Sequence, residues 1–382
     1  MLAAILLSGS LMCACGGGGS SSVNPPSPPA PTTPVAAAPA FSTSTANGAQ
    51  NGAVIVTLSS TTAGATIYYT LDGTTPTTAS LQYEAPILVA SNLTVNAMAT
   101  AFGYSASSVA SKSFMPNIAS GTLVWSDEFA NTGVVNGQAN PSTWTYDIGT
   151  NCCGNNELET YCAWASTTGP CNPANPNAYV GTDGYLHVIA EQPVSGTALY
   201  TSARLKSQGL FSFQYGRIEA RMMLPESRGM WPAFWLLGDN IVTDPWPACG
   251  ELDIMEHIDG NNTPFGGPGT GNAPGYDWVQ SSVHGTNLNG GTPYNVTGFS
   301  AAVWHTYGMI WTKGQVQFYV DDPTKIYETF TPTTQTGTWP FDNGPQFILL
   351  NLAVGGSWPG SPDSTTVFPS TMLVDYVRIY SN

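Results

Sequence analysis

Residues 216–224 read GRIEARMML, and their alternation decides the fold class. Successive side chains of an extended chain point to opposite faces. Ile218, Ala220, Met222 and Leu224 therefore share one face, and Arg217, Glu219 and Arg221 the other. A helical period would scatter both sets. The same period of two runs through QVQFYV at 315–320 and MLVDYVRIY at 372–380. Composition agrees: the 382 residues include 41 Gly, 30 Pro, 11 Trp, 17 Tyr and 14 Phe, but only 24 acidic and 9 basic residues. Long exposed helices need far more charge, whereas short strands joined by turns use these residues freely. The region 118–382 thus predicts an all-β fold, a two-sheet sandwich without a substantial helix.

The net charge of −15 restricts partners. So few basic residues cannot form the footprint that nucleic acid requires. They also suit a sulfated or carboxylated polymer badly. A neutral or cationic ligand is expected.

Working outward, the chain divides near residue 117. Residues 1–120 carry only Asp72, Glu84 and Lys112, while all 11 Trp and all 4 His come later. Residues 41–115 alternate strand runs with turns, and Asp72-Gly73 after Tyr68–Leu71 is a hairpin signal. GATIYYTLDGTTPT at 64–77, YEAPILV at 83–89 and LTVNAMATAFGYSAS at 93–107 resemble the chitobiase/β-hexosaminidase C-terminal type of Ig-like domain. The resemblance implies a small β-sandwich with no catalytic residue. Tyr68, Tyr69, Tyr83 and Tyr104 read as packing residues ahead of sugar-stacking ones. The module is expected to be a spacer, so that deleting 16–115 leaves activity within a few fold.

Ahead of it, GGGGSSSVNPPSPPAPTTPVAAAPA at 16–40 has no charge and predicts a flexible, then extended, linker. Residues 1–12, MLAAILLSGSLM, are apolar and too short for a permanent membrane helix. Residues 1–15 predict an export signal, and Ala14-Cys15 resembles the lipobox of bacterial lipoproteins more closely than Met12-Cys13 does. The chain is expected to be exported, as a cell-surface lipoprotein or, with plain cleavage, secreted. Its only membrane attachment would be that lipid.

The chemistry concentrates in GMWPAFWLLGDNIVTDPWPACGELDIMEHIDG at 229–260, where Glu251, Asp253 and Glu256 fall within six residues. In a regular strand Glu251 and Asp253 share a face and Glu256 points away. One extra residue in a β-bulge near Met255 restores Glu256 to that face. Acids held together cannot all ionise at neutral pH, so one retains its proton. A paired carboxylate and carboxylic acid is what a retaining glycosidase needs. A calcium site or a solvated acidic edge is the alternative, and the nearby Trp231, Trp235 and Trp246 argue against it.

This segment resembles glycoside hydrolase family 16 in its bulged Glu-x-Asp-x-x-Glu form. The resemblance continues through WSDEF at 125–129, GNNELETY at 154–161, YGRIEARMMLP at 215–225, WHTYGMIW at 304–311, NLAVGGSWPG at 351–360 and VDYVRIY at 374–380. It implies a β-jelly-roll sandwich and a laminarinase-like endo-β-1,3-glucanase, monomeric, acting on a neutral β-glucan without a catalytic cofactor. A mixed-linkage β-1,3-1,4-glucanase and a non-catalytic β-glucan-binding protein are the alternatives. By position the resemblance makes Glu251 the nucleophile, Glu256 the acid/base and Asp253 the residue that tunes them. It places Trp231, Trp235 and Trp246 as sugar platforms, Trp235 being the most buried of them. Asn156, Arg204 and His284 would bond sugar hydroxyls, Trp358 would border the cleft, and His257 would face away. It also implies a structural calcium near Glu128, Gly184 and Asp375, held partly by backbone oxygens. Export permits disulfides, and Cys162 with Cys171 is the first pair expected. Cys152 and Cys153 stay unassigned, and Cys249 reads as a buried free thiol.

Overall fold

The computed structural model describes residues 32–130, 133, 135–150, 154–258 and 278–382. The export signal and lipobox at 1–15, most of the linker, and Cys152 and Cys153 lie outside the described residues.

Two large sheets carry the later part of the chain. In one, of 8 strands, Gly216–Met223 lies antiparallel between His305–Thr312 and Ser370–Tyr380. Its alternation is the one the sequence predicts. Ile218, Ala220 and Met222 are buried in the core. On the opposite face Arg217 stacks on the Tyr380 ring at 3.6 Å, and Arg221 pairs with Asp375 at 2.6 Å.

The second sheet, of 11 strands, carries the acidic segment. Met230–Gly238 runs between Gln346–Val354 and Glu251–Glu256, and Val279–Gly285 and Leu288–Tyr294 follow. One apolar core joins the sheets: Ile218 and Met222 belong to the same cluster as Phe234, Leu236, Leu252 and Leu350. Burying such side chains contributes about 1.5–3 kcal/mol each, which fixes the inward face of every strand and leaves the other to form the site. Among the described residues the helical element is the short 3-10 turn Asp239–Val242. Cys162 and Cys171 form a disulfide, and Cys249 is a buried free thiol.

The N-terminal module has a 4-stranded sheet of Leu81–Gln82, Thr66–Thr70, Leu93–Thr100 and Ala110–Phe114. Its other strands, Ala40–Ser44, Val54–Ser59 and Ile87–Val89, extend the 11-stranded sheet, because Ile87 and Leu88 pair in parallel with Ser212 and Phe213. A second seam runs along Trp125. Its indole N–H donates to the Asn47 carbonyl at 2.7 Å, and the amides of Gln50 and Ser126 bond to Val124 and Gly48 across the junction. Ala49, Ala53, Ile55 and Leu88 enter the main core. The module is therefore not the separate spacer that composition suggests. A crevice of about 840 Å³ beside this junction holds none of the three clustered acids. Its polar groups largely satisfy one another, as Asn92 does Asn117 at 2.9 Å.

Candidate active site

The pairing of Met230–Gly238 with Glu251–Glu256 sets Leu237 opposite Glu251 and Trp235 opposite Asp253, then shifts so that Phe234 meets Met255 and Ala233 meets Glu256. Ile254 is left as the extra residue. Residues directly opposite share a face, so all three acids lie on the side of Ala233, Trp235 and Leu237. Leu252, Ile254 and Met255 go into the core instead. The expected bulge thus sits at Ile254–Met255, and apolar burial of both residues holds it.

Each acid has a distinct setting. Glu256 accepts the Trp231 indole N–H on Oε1 at 3.1 Å and the Ser282 hydroxyl on Oε2 at 3.3 Å. Gln280 in turn donates to Ser282 at 3.1 Å. His284 Nε2 lies 3.1 Å from Asp253 Oδ2 and 3.9 Å from Glu251 Oε1. Gln280, Ser282 and His284 face Glu256, Asp253 and Glu251 in register. Only His284 stood out in the sequence, although the spacing of 280, 282 and 284 along one strand face was there to read.

Burial pushes Glu251 and Glu256 up to about 8, with the Asp253 charge adding to both. Asp253 is driven well above the usual carboxylate range by burial. The three titrate as one cluster that keeps protons at neutrality. His284 draws both glutamates down, and Arg204 acts on Glu251 as well. Glu256 has His284 and the neutral donors Trp231 and Ser282.

The other expected site residues separate into groups. Trp235 is buried, donates to Asn351 Oδ1 at 2.8 Å, and carries the Arg204 guanidinium 4.5 Å from its ring. Arg204 is anchored by Asp147 at 2.9 Å. Trp358 meets Trp231 edge-on at 5.4 Å. Asn156 is exposed and donates to the Ser357 hydroxyl at 2.8 Å, so it reaches the Trp358 segment. Trp246 is 56% exposed on the loop leading to Glu251, with no hydrogen bond joining it to the acids among the described residues. His257 is buried, with Nδ1 2.8 Å from the Trp278 carbonyl.

The donor atoms of Glu251, Asp253 and His284 lie within 4.8 Å of one another, close enough to meet one metal ion. The calcium expectation fares differently. Both Glu128 oxygens bond Arg378, at 2.9 and 2.8 Å, and Asp375 is paired to Arg221. Guanidinium groups seated on these carboxylates do not fit a cation held by the same side chains.

Comparison with known proteins places this architecture. Residues 45–111 match the chitobiase/β-hexosaminidase C-terminal domain, and residues 173–378 match the glycosyl hydrolases family 16. A β-glucanase of Rhodothermus marinus is 36% identical over 267 residues, covering 68% of this chain and 84% of that protein. The laminarinase catalytic domain of Thermotoga maritima aligns with a TM-score of 0.55 at 33% identity, over 69% of this chain and 99% of that one. The endo-β-1,3-glucanase of Pyrococcus furiosus aligns with a TM-score of 0.54 at 35% identity, over 68% and 94%. With its bulged acidic strand lying inside the matched segment, the chain belongs to glycosyl hydrolase family 16.

Proposed function

We propose that this protein hydrolyses internal β-1,3 linkages of a neutral, laminarin-type glucan with retention of configuration. The observation that carries the reading is the bulge at Ile254–Met255, which gathers Glu251, Asp253 and Glu256 beside Trp231 and Trp235. Glu251 attacks the anomeric carbon, the bond to the departing oxygen breaks, and Glu256 supplies that oxygen's proton. Water then attacks the glycosyl-enzyme, with Glu256 taking its proton and Glu251 leaving. Asp253, between them and touching His284, keeps the proton count of the cluster in balance. Both glutamates are present, which favours a hydrolase over a binding protein of the same fold.

A reducing-end assay on laminarin, lichenan, xyloglucan and agarose tests the substrate. Release from laminarin first is the expected result. Equal or faster release from lichenan moves the assignment to mixed-linkage glucan, and binding without release moves it to a lectin-like role.

The pH dependence follows from the cluster. Glu256 is pushed up to about 8, so it holds its proton below that pH and loses it above. kcat/KM is expected to fall as pH rises through about 8. Stability should move the same way. Folded acids with raised pKa bind protons that the unfolded chain releases, so the melting temperature should drop as pH rises from the ordinary carboxylate range toward 8. A flat melting profile across that window would remove the buried-acid account.

Anchoring and metal complete the proposal. Lipidation at Cys15 would tether the protein at a membrane surface through the linker, and Cys15→Ser should then move it to the soluble fraction. Wild-type protein already soluble and trimmed beyond residue 20 would defeat this. A structural calcium near Gly184 would have to rest on main-chain oxygens. An unchanged melting temperature in EDTA would dismiss it.

A further inference from the structure

Two acids with no role in the chemistry above are enclosed behind the cleft. Glu157 and Glu159 are 8% and 1% exposed. Glu159 Oε2 accepts the Val354 amide at 2.7 Å. Its Oε1 is buried without a donor, and the Glu157 carboxyl stands next to it. Two ionised carboxylates would set acceptor against acceptor in a space closed to water. A proton on Glu159 turns that repulsion into a charge-assisted O–H···O bond. Glu157 is the accepting partner, since both its oxygens already take donors: Asn155 Nδ2 at 3.2 Å and the Tyr161 hydroxyl at 2.9 Å.

The pair stands at the start of a chain of bonds. The Tyr161 hydroxyl gives its one proton to Glu157, so toward Asn351 it can only accept. Asn351 Nδ2 donates to it at 3.4 Å. That turns Asn351 Oδ1 toward Trp235, whose indole N–H it accepts at 2.8 Å. Trp235 sits opposite Asp253. The same acids tie down the Trp358 segment. Glu159 holds Val354, and the Leu158 and Ser357 amides bond Val354 and Asn155 carbonyls at 2.8 and 2.7 Å.

Few ionisable groups face the pair. Tyr161 lies on the same strand, and Tyr200 is beside Glu159 on the parallel strand. Arg204 acts on Tyr161 from the next strand, but its charge is committed to Asp147. The Gln346–Val354 strand offers Asn351 and backbone only. Among the described residues neither glutamate is in an ion pair. Burial, then the Glu157 charge, pushes Glu159 up to about 8.

We propose that Glu157 and Glu159 are positioning residues: the proton they share keeps the two carboxyls in contact, and with them the bonds that reach Trp235 and hold the Trp358 segment, so that glucan binding depends on it. This rests on the glucanase reading above.

The test is KM and kcat on laminarin from about pH 6 to about pH 9 for wild type, Glu159→Gln and Glu159→Ala, with tryptophan fluorescence recorded alongside. Glutamine keeps an N–H toward Glu157 and an oxygen toward Val354 at every pH. Wild-type KM should rise by about threefold or more as the shared proton is lost, while the Glu159→Gln value stays level; kcat of both should still fall with Glu256. Glu159→Ala should raise KM by about tenfold even at the acid end, and glutamine should rescue it. A wild-type KM that does not move, or one that rises equally in Glu159→Gln, overturns the proposal. Should Glu159→Gln fail to fold, the wild-type KM and fluorescence profiles decide alone, and two flat profiles overturn the proposal. A wild type inactive on every glucan sinks the functional reading alone. The fluorescence change across that range then decides, and an equal change in wild type and glutamine variant overturns the pair's role.

Discussion

Alanine at Glu251 or Glu256 should lower turnover of glucan by roughly 10³-fold or more, and added azide should then separate the two variants by stereochemistry. The bulged strand puts both carboxyls on one face, where either alone could be the nucleophile by composition. Their surroundings distinguish them. Glu251 faces His284 and also feels the Arg204 charge, which favours its ionised form. Glu256 is only half-buried and is held by the neutral donors Trp231 and Ser282 rather than by a cation. An activated aryl β-glycoside needs little protonation of its leaving group. Glu256→Ala should therefore still form the glycosyl-enzyme, and azide, needing no general base, should intercept it to give the β-azide. Glu251→Ala has no carboxylate to form that intermediate. Azide entering the vacated space attacks directly and gives the α-azide. Product anomers read by NMR decide the matter: the reverse pattern exchanges the two roles, and an inverted product from wild type ends the double-displacement mechanism.

The parts of this site that were legible in the sequence are those where a rule breaks visibly. A period of two accommodates Glu251 and Asp253 but not Glu256, and the adjoining Ile254-Met255 pair is apolar, so a bulge is the simple repair. Ser282 and Gln280 broke no rule. Neutral polar residues on a strand are ordinary, and only the register against Glu251–Glu256 shows that they meet the acids. Glu157 and Glu159 were visible as part of a motif, yet burial, which converts an i, i+2 acid pair from a solvated edge into a proton-sharing one, is not written in their spacing. Trp246 stood beside Trp231 and Trp235 in the reading but is largely exposed on its loop. The calcium expectation missed Arg378 and Arg221, which reach the carboxylates from their own or neighbouring strands. The junction between modules was the least legible feature. It is built from backbone pairing and from Gly48, Ala49 and Ala53, and small residues of this kind carry no pattern that separates an interface from a turn.

Removing residues up to 115 should therefore cost the remaining chain much of its stability, even though the clustered acids all lie beyond the cut. Trp125 is fully buried and stacks on Phe211 at 4.6 Å. Without the module its indole N–H loses the Asn47 carbonyl, and the Ser212–Phe213 edge loses its parallel partner. The core also loses Ile55 and Leu88. At about 1.5–3 kcal/mol for each large apolar side chain, and about 1 kcal/mol for each hydrogen bond left unmade, the sum is on the order of 5 kcal/mol. For a domain of this size that lowers the melting temperature by roughly 10–20 °C. Initial rates in the cold should stay within a few fold of wild type, and the loss should appear on warming. A single substitution separates docking from mere chain length. Gly48 has a φ of +93°, and an added Cβ would stand 2.3 Å from the Ser126 carbonyl oxygen and 2.8 Å from Trp125 Nε1. Gly48→Ala must therefore either strain the backbone or push the module off the tryptophan, and it should reproduce a substantial part of the truncation's loss in melting temperature. If the truncated protein and Gly48→Ala both melt where wild type does, the seam seen along Trp125 contributes nothing to stability, and the module is after all only a spacer.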